Sequence, residues 1–109
     1  MAHLNRLTSH EDFERVTRSS IRSSTKALVG YLLPEPELDQ PKVGFIVSRA
    51  IGGSVTRHRV TRQLRHATRE SLTRLPKSAL VVIRATKKEQ NAKREIPELF
   101  DSLSKKAAQ

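Results

Sequence analysis

Six arginines stand between Ile51 and Arg74, at positions 57, 59, 62, 65, 69 and 74, and the only acid among them is Glu70. Residues of these types can neutralise a polyanion, but they are poorly suited to making or breaking bonds. A metal-dependent nuclease draws several carboxylates onto one or two divalent ions, and this stretch offers one. His3, His10, His58 and His66 fall in no HExxH-like spacing, there is no cysteine, and no GxxxxGK[ST] phosphate loop occurs. Serines and histidines are present, yet nothing in their spacing singles out a triad. The chemistry indicated is binding of RNA or DNA, with no catalytic side chain and no metal site on the protein.

Those arginines must be held by a helix. At about 100° per residue, Val60, Leu64, Ala67 and Ser71 form one narrow stripe, while His58, Arg62, Arg65 and Arg69 gather opposite. Gly52 and Gly53 allow a tight turn ahead of it, Ser54 is the expected N-cap, and Pro76 ends it after Leu75, giving about five turns. The bland alternative is a solvated face, on which acids would alternate with the bases as i,i+4 partners. From Gln40 to Lys88 the bases are Lys42, Arg49, Arg57, Arg59, Arg62, Arg65, Arg69, Arg74, Lys77, Arg84, Lys87 and Lys88, against Glu70 alone. Such a segment repels itself unless an external anion supplies the counter-charge.

The whole chain carries the same bias. Its 109 residues suit a single domain spanning 1–109, and a formal charge of +10 with a pI near 10.9 favours nucleic acid or an anionic membrane. No run reaches the ~18 apolar residues of a spanning helix, and the basic helix lacks the Trp and Phe of an interfacial anchor. The first sixteen residues contain no apolar core of a signal peptide, and with no cysteine a cytoplasmic location is the simplest expectation.

Around the basic helix the expected elements are these. Ser9 caps a short helix to about Arg18, with Phe13 and Val16 on one face. The segment SSIRSST reads as a loop. Lys26–Leu33 alternates as a strand, with Ala27, Val29, Tyr31 and Leu33 on one side, and the acidic, proline-punctuated PEPELDQP forms a hairpin loop. Val43–Ser48 is a second strand, Ala79–Ile83 a central one, and Ile96, Leu99, Phe100 and Leu103 mark a last helix that admits Pro97 only in its first turn. This pattern is α+β, with three strands found. Single-stranded nucleic acid needs aromatic platforms beside a basic groove, for which Phe13 and Tyr31 are the candidates, although pattern alone favours a core role for Phe13 and leaves Tyr31 readable either way.

The segment VGFIVSRAIGGSVTRHRVTRQLRHATRE, Val43 to Glu70, closely resembles the signature of the bacterial ribonuclease P protein family, roughly VGxxVSKKxGxAVxRNRxxRxxR. Arg57, Arg59, Arg62 and Arg65 fall on its arginines, and Arg6-Leu7, Glu11 to Phe13 and Tyr31 extend the likeness. Three positions depart from the pattern: His58 for the central Asn, Ala50 for a Lys, and Thr17 at a commonly aromatic site. The resemblance implies a two-layer αβββαβα sandwich with a four-stranded sheet and a left-handed βαβ crossover, against the usual hand. It also implies partners, ribonuclease P RNA and precursor tRNA, with no obligate protein partner. The RNA, with its own Mg²⁺, would perform the endonucleolytic cleavage that matures the tRNA 5′ end. In that scheme Arg49, Arg57, His58, Arg59, Arg62, Arg65 and Arg69 bind the catalytic RNA, and Phe13, Tyr31 and Arg57 the single-stranded 5′ leader. A ribosomal-type structural RNA-binding protein is the alternative, since it too would be basic and α+β.

Overall fold

A computed structural model describes residues 5–109; His3 lies outside the described residues. The elements run β1 (Asn5–Arg6), α1 (His10–Thr17), β2 (Ile21–Ser24), β3 (Leu28–Pro34), β4 (Lys42–Ile46), α2 (Ser54–Ser71), a short 3₁₀ turn (Leu72–Arg74), β5 (Ala79–Ala85) and α3 (Ala92–Ala107). The sheet order is β1-β4-β5-β3-β2, so the four-stranded αβββαβα sandwich is present, with a two-residue strand added at one edge. β4 and β5 are adjacent and parallel, joined through α2, while β5–β3 and β3–β2 are antiparallel.

Two cores lie on opposite faces of this sheet. Leu28 and Leu32 of β3, Val43 of β4, and Val81 and Ile83 of β5 pack against Val60 and Leu64 of α2 and against Ile96, Leu99, Phe100 and Leu103 of α3. On the other face Tyr31, Leu80 and Val82 meet Leu7, Val16 and the half-buried Phe13. The alternation expected for β3 and β4 is observed: one-residue steps along a strand send side chains to opposite layers. A side chain at Gly44 would put its Cβ 2.4 Å from Phe13 Cζ, so the ring of Phe13 lies directly on the glycine backbone and seats α1 on the sheet.

Two strands are missing from the sequence reading, the two-residue β1 and, more consequentially, β2. The β2 segment reads as a loop in sequence, but Ile21–Ser24 pairs with Val29–Leu32 of β3. Only Ile21 is a large apolar residue in it. Its inward positions are completed by a hydroxyl, Ser23 Oγ sitting 2.6 Å from Ser102 Oγ on α3, and Lys106 Nζ donates to the Arg22 carbonyl at 2.7 Å. An edge strand held by hydroxyls and an ammonium group has no hydrophobic alternation to read.

Other boundaries also move. β3 begins at Leu28, because Thr25 N donates to Leu28 O and closes the turn before it. β4 stops at Ile46, and β5 continues to Ala85, carrying the exposed Arg84. The N-cap of α2 is Gly53, with no side-chain cap, and Ser54 is already helical. Gly52 is the glycine the turn requires: its φ is +154°, and a Cβ there would approach Thr56 Cβ to 3.0 Å. In α3, Pro97 sits in the second turn, because the helix starts earlier than its apolar stripe. Asn91 caps it by accepting from Arg94 N at 3.3 Å, and Glu95 reaches back to accept from Asn91 N at 2.8 Å. The missing proline N–H leaves the carbonyl of Lys93, an exposed residue, without an intrahelical donor.

Candidate nucleic-acid interface

Helix α2 docks through the stripe expected of it, Val60, Leu64, Ala67 and Ser71, with Thr68 also buried. His58, Arg59, Arg62 and Arg69 are exposed, and Arg57 and Arg65 are half-buried. The two half-buried arginines flank a groove of about 510 Å³ between α2 and the end of β4, whose other walls are Val47, His58, Thr61 and Arg62. Arg49 stands exposed in the turn between β4 and α2.

These cations are not balanced within the fold. Among the described residues, Arg49, Arg57, Arg59, Arg62, Arg65 and Arg69 take part in no ion pair. The Nε atoms of Arg57 and Arg65 are buried with no hydrogen-bond partner among those residues. Burial, followed by the like charges of Arg6 and Arg69, lowers the pKa of Arg65. A guanidinium stays charged under such pressure, so the site is held at positive potential. The helix's one acid does not relieve it: Glu70 pairs with His66, i,i+4, at 2.7 Å. Arg74, grouped with the others by sequence, is drawn away to Asp101 on α3, also at 2.7 Å. The first turn of α2 contains no acid and no side-chain cap, which leaves backbone N–H donors at the positive end of the helix dipole.

The second expected site lies on the far face. Phe13 and Tyr31 do share one cluster, whereas Arg57 belongs to the α2 groove. Tyr31 is only 7% exposed. Two guanidiniums lie over its ring, Arg22 of β2 at 5.6 Å and Arg84 of β5 at 5.9 Å from the centroid, within cation–π range. Sequence reasoning missed this pair. Once β2 is read as a strand, the signal is cross-strand register: Arg22 faces Tyr31 directly, and Arg84 lies two pairs along, opposite Val29, and so on the same face of the sheet. Thr17, at the family's commonly aromatic site, turns its hydroxyl back to donate to the Phe13 and Glu14 carbonyls at 2.9 and 3.1 Å. Arg15 is tied internally to Asp12 and Glu35 at 3.0 and 3.1 Å. Among the described residues no group of three or more His, Cys, Asp or Glu is arranged to hold a metal ion, and no helix is long and apolar enough to cross a membrane.

The family model described as Ribonuclease P matches residues 1–108. The ribonuclease P protein component of a Nocardioides species is 43% identical over 90 residues, covering 81% of this chain and 77% of that protein. That of Streptomyces griseus is 39% identical over 89 residues, covering 74% and 72%. Among solved structures, the Staphylococcus aureus RNase P protein superposes with a TM-score of 0.76 at 20% identity, over 96% of both chains. The RNase P protein from Thermotoga maritima gives 0.74 at 20% identity, over 93% of this chain and 96% of that one. The structures carry the fold, and the sequence matches carry the family, which sets aside the ribosomal-type alternative. The chain belongs to the ribonuclease P protein family, the protein component of the ribonucleoprotein endoribonuclease that processes tRNA 5′ ends.

Proposed function

We propose that α2 and the turn before it form the surface that holds ribonuclease P RNA. Arg49, Arg57, Arg59, Arg62, Arg65 and Arg69 neutralise phosphates there, and His58 donates a hydrogen bond. The observation that carries this reading is the absence of ion pairs for these arginines among the described residues, two of them with buried, unpartnered Nε atoms. Phosphate oxygens supply both the charge and the acceptors that the fold withholds. Cleavage, with its Mg²⁺, is assigned to the RNA, because α2 brings a single acid, Glu70, and that one is engaged with His66. Replacing Arg62 and Arg65 by Ala should lower the slope of log K against log salt by roughly 1.4 to 1.8 units, at about 0.7–0.9 per phosphate contact. An unchanged slope in the folded variant would remove α2 from the interface.

The face carrying α1 is proposed to take the 5′ leader of precursor tRNA. Phe13 and Tyr31 support this by lying together there, with Arg22 and Arg84 above the tyrosine. A ring 7% exposed offers no free face to a base, so leader phosphates meet the two guanidiniums first. In the assembled holoenzyme, Arg22→Ala with Arg84→Ala should weaken precursor tRNA several-fold and leave mature tRNA, which has no leader, unchanged. Equal losses for the two substrates would place these arginines outside any leader contact.

A further inference from the structure

A second and larger groove runs along the other flank of α2, and its walls differ in kind from those of the arginine groove. It encloses about 720 Å³ between α2 and the segment that starts α3. Arg62 stands on the ridge between the two grooves, lining both. Beyond it the wall changes from guanidiniums to carboxamides: Gln63 from α2, and Gln90 and Asn91 from the opposite side. The one acid in it, Glu70, lies 2.7 Å from His66 Nε2, so its carboxylate already has a partner within α2.

The amides are not consumed by the fold. Gln90 Nε2 is buried and has no hydrogen-bond partner among the described residues. Asn91 uses its Oδ1 to cap α3 by accepting from Arg94 N, which leaves its NH₂ group as the part still able to bond. Gln63 is exposed and offers both a donor and an acceptor. Carboxamides are the side chains that match the paired donors and acceptors of a nucleobase edge. In RNA such edges are presented by unpaired nucleotides, splayed out of a helix. Lys93 at the groove's rim and Arg62 on its ridge are placed to meet the phosphates on either side.

We propose that this amide-lined groove receives one unpaired nucleotide of the ribonuclease P RNA, its base edge bonded by Gln63, Gln90 and Asn91 and its phosphate by Arg62. Because Gln90 and Asn91 have donors left to give, the groove favours a base with two acceptors on its Watson–Crick edge, a uracil, through O2 and O4. The arginine groove then supplies charge, and this one supplies register along the RNA. The inference rests on the reading of α2 as the RNA-facing helix, and the test separates the two.

The variant Gln63→Ala with Gln90→Met removes two amides while keeping bulk at position 90, and it changes no charge. With the reconstituted holoenzyme, RNA affinity should fall about tenfold, on the scale of one bidentate base contact, while the salt slope stays that of the unsubstituted protein. Chemical probing of the RNA with a carbodiimide, which modifies the Watson–Crick edges of U and G, should show one nucleotide protected by the unsubstituted protein and exposed with the variant. Unchanged affinity together with an unchanged probing pattern overturns the proposal. So does a salt slope that falls with the affinity, since the loss would then be electrostatic. If Arg62→Ala also leaves the slope unaltered, the failure lies with the RNA-facing reading of α2; if that slope falls and the amide variant is silent, only the nucleotide site is lost.

Discussion

Glu95 and Arg65 are both charged groups drawn into this small protein, and the fold treats them in opposite ways. The Glu95 carboxylate, 7% exposed, accepts from Thr25 Oγ1 at 2.7 Å and from the backbone N–H groups of Ala27 and Asn91 at 2.8 Å. Burial alone pushes its pKa up, but those hydrogen bonds, with Lys26 nearby, outweigh burial and hold it below the ordinary glutamate range. Arg65 has the reverse surroundings: its Nε is buried without a partner, and its charged neighbours are Arg6 and Arg69. A charge completed from within ties elements together, here the β2–β3 turn to the start of α3. A charge left incomplete costs stability in the free protein and recovers it only when an anion arrives.

The largest effect that could break this contrast is Glu95→Ala. It strands three donors, two of them backbone, at about 1–3 kcal/mol for each that water cannot reach, so a loss of about 3 kcal/mol is expected in denaturant unfolding, with the salt slope of RNA binding unchanged. A loss below about 1 kcal/mol would show that the turn and helix do not depend on the clamp.

The same residue gives a pH signature. Because its folded pKa is depressed, its contribution is fully present above the unfolded value of about 4.3 and fades as pH falls through the lower folded value. Glu95→Gln should therefore flatten the acid limb of a stability-against-pH curve. An acid limb identical to that of the unsubstituted protein would mean that other carboxylates govern it.

Arg65→Met sharpens the comparison from the other side. Removing an unpartnered, half-buried cation beside two others should raise stability by about 0.5–1 kcal/mol while weakening RNA binding and its salt dependence. A variant that is destabilised instead would show that the guanidinium is satisfied in the free protein. The smallest effect belongs to Glu70→Gln, whose exposed pairing with His66 contributes little to stability; holoenzyme cleavage should be nearly unchanged. Abolished cleavage in a folded variant would overturn the assignment of the chemistry to the RNA.

The basic helix was legible in the sequence because its information is local. A 3.6-residue period and a shortage of acids suffice to place Val60, Leu64, Ala67 and Ser71 inward and His58, Arg62 and Arg69 outward, as observed, whereas Arg65, expected in that outer row, is half-buried. The same holds for β3, β4 and β5, whose apolar alternation or continuity survives without their neighbours, and for the cap at Ser9, which accepts from Asp12 N three residues on. Tertiary structure alone decided the rest. β2 exists because Ser23 finds Ser102, seventy-nine residues away, and α3 starts early because Glu95 closes on Thr25 and Ala27 across a similar span. Arg74 is taken from the arginine row by Asp101, and Tyr31 is roofed by arginines from two other strands. Periodicity reports which way a side chain points from its own backbone. Which charge it meets there depends on residues far along the chain, and so does whether that charge stays open for an RNA.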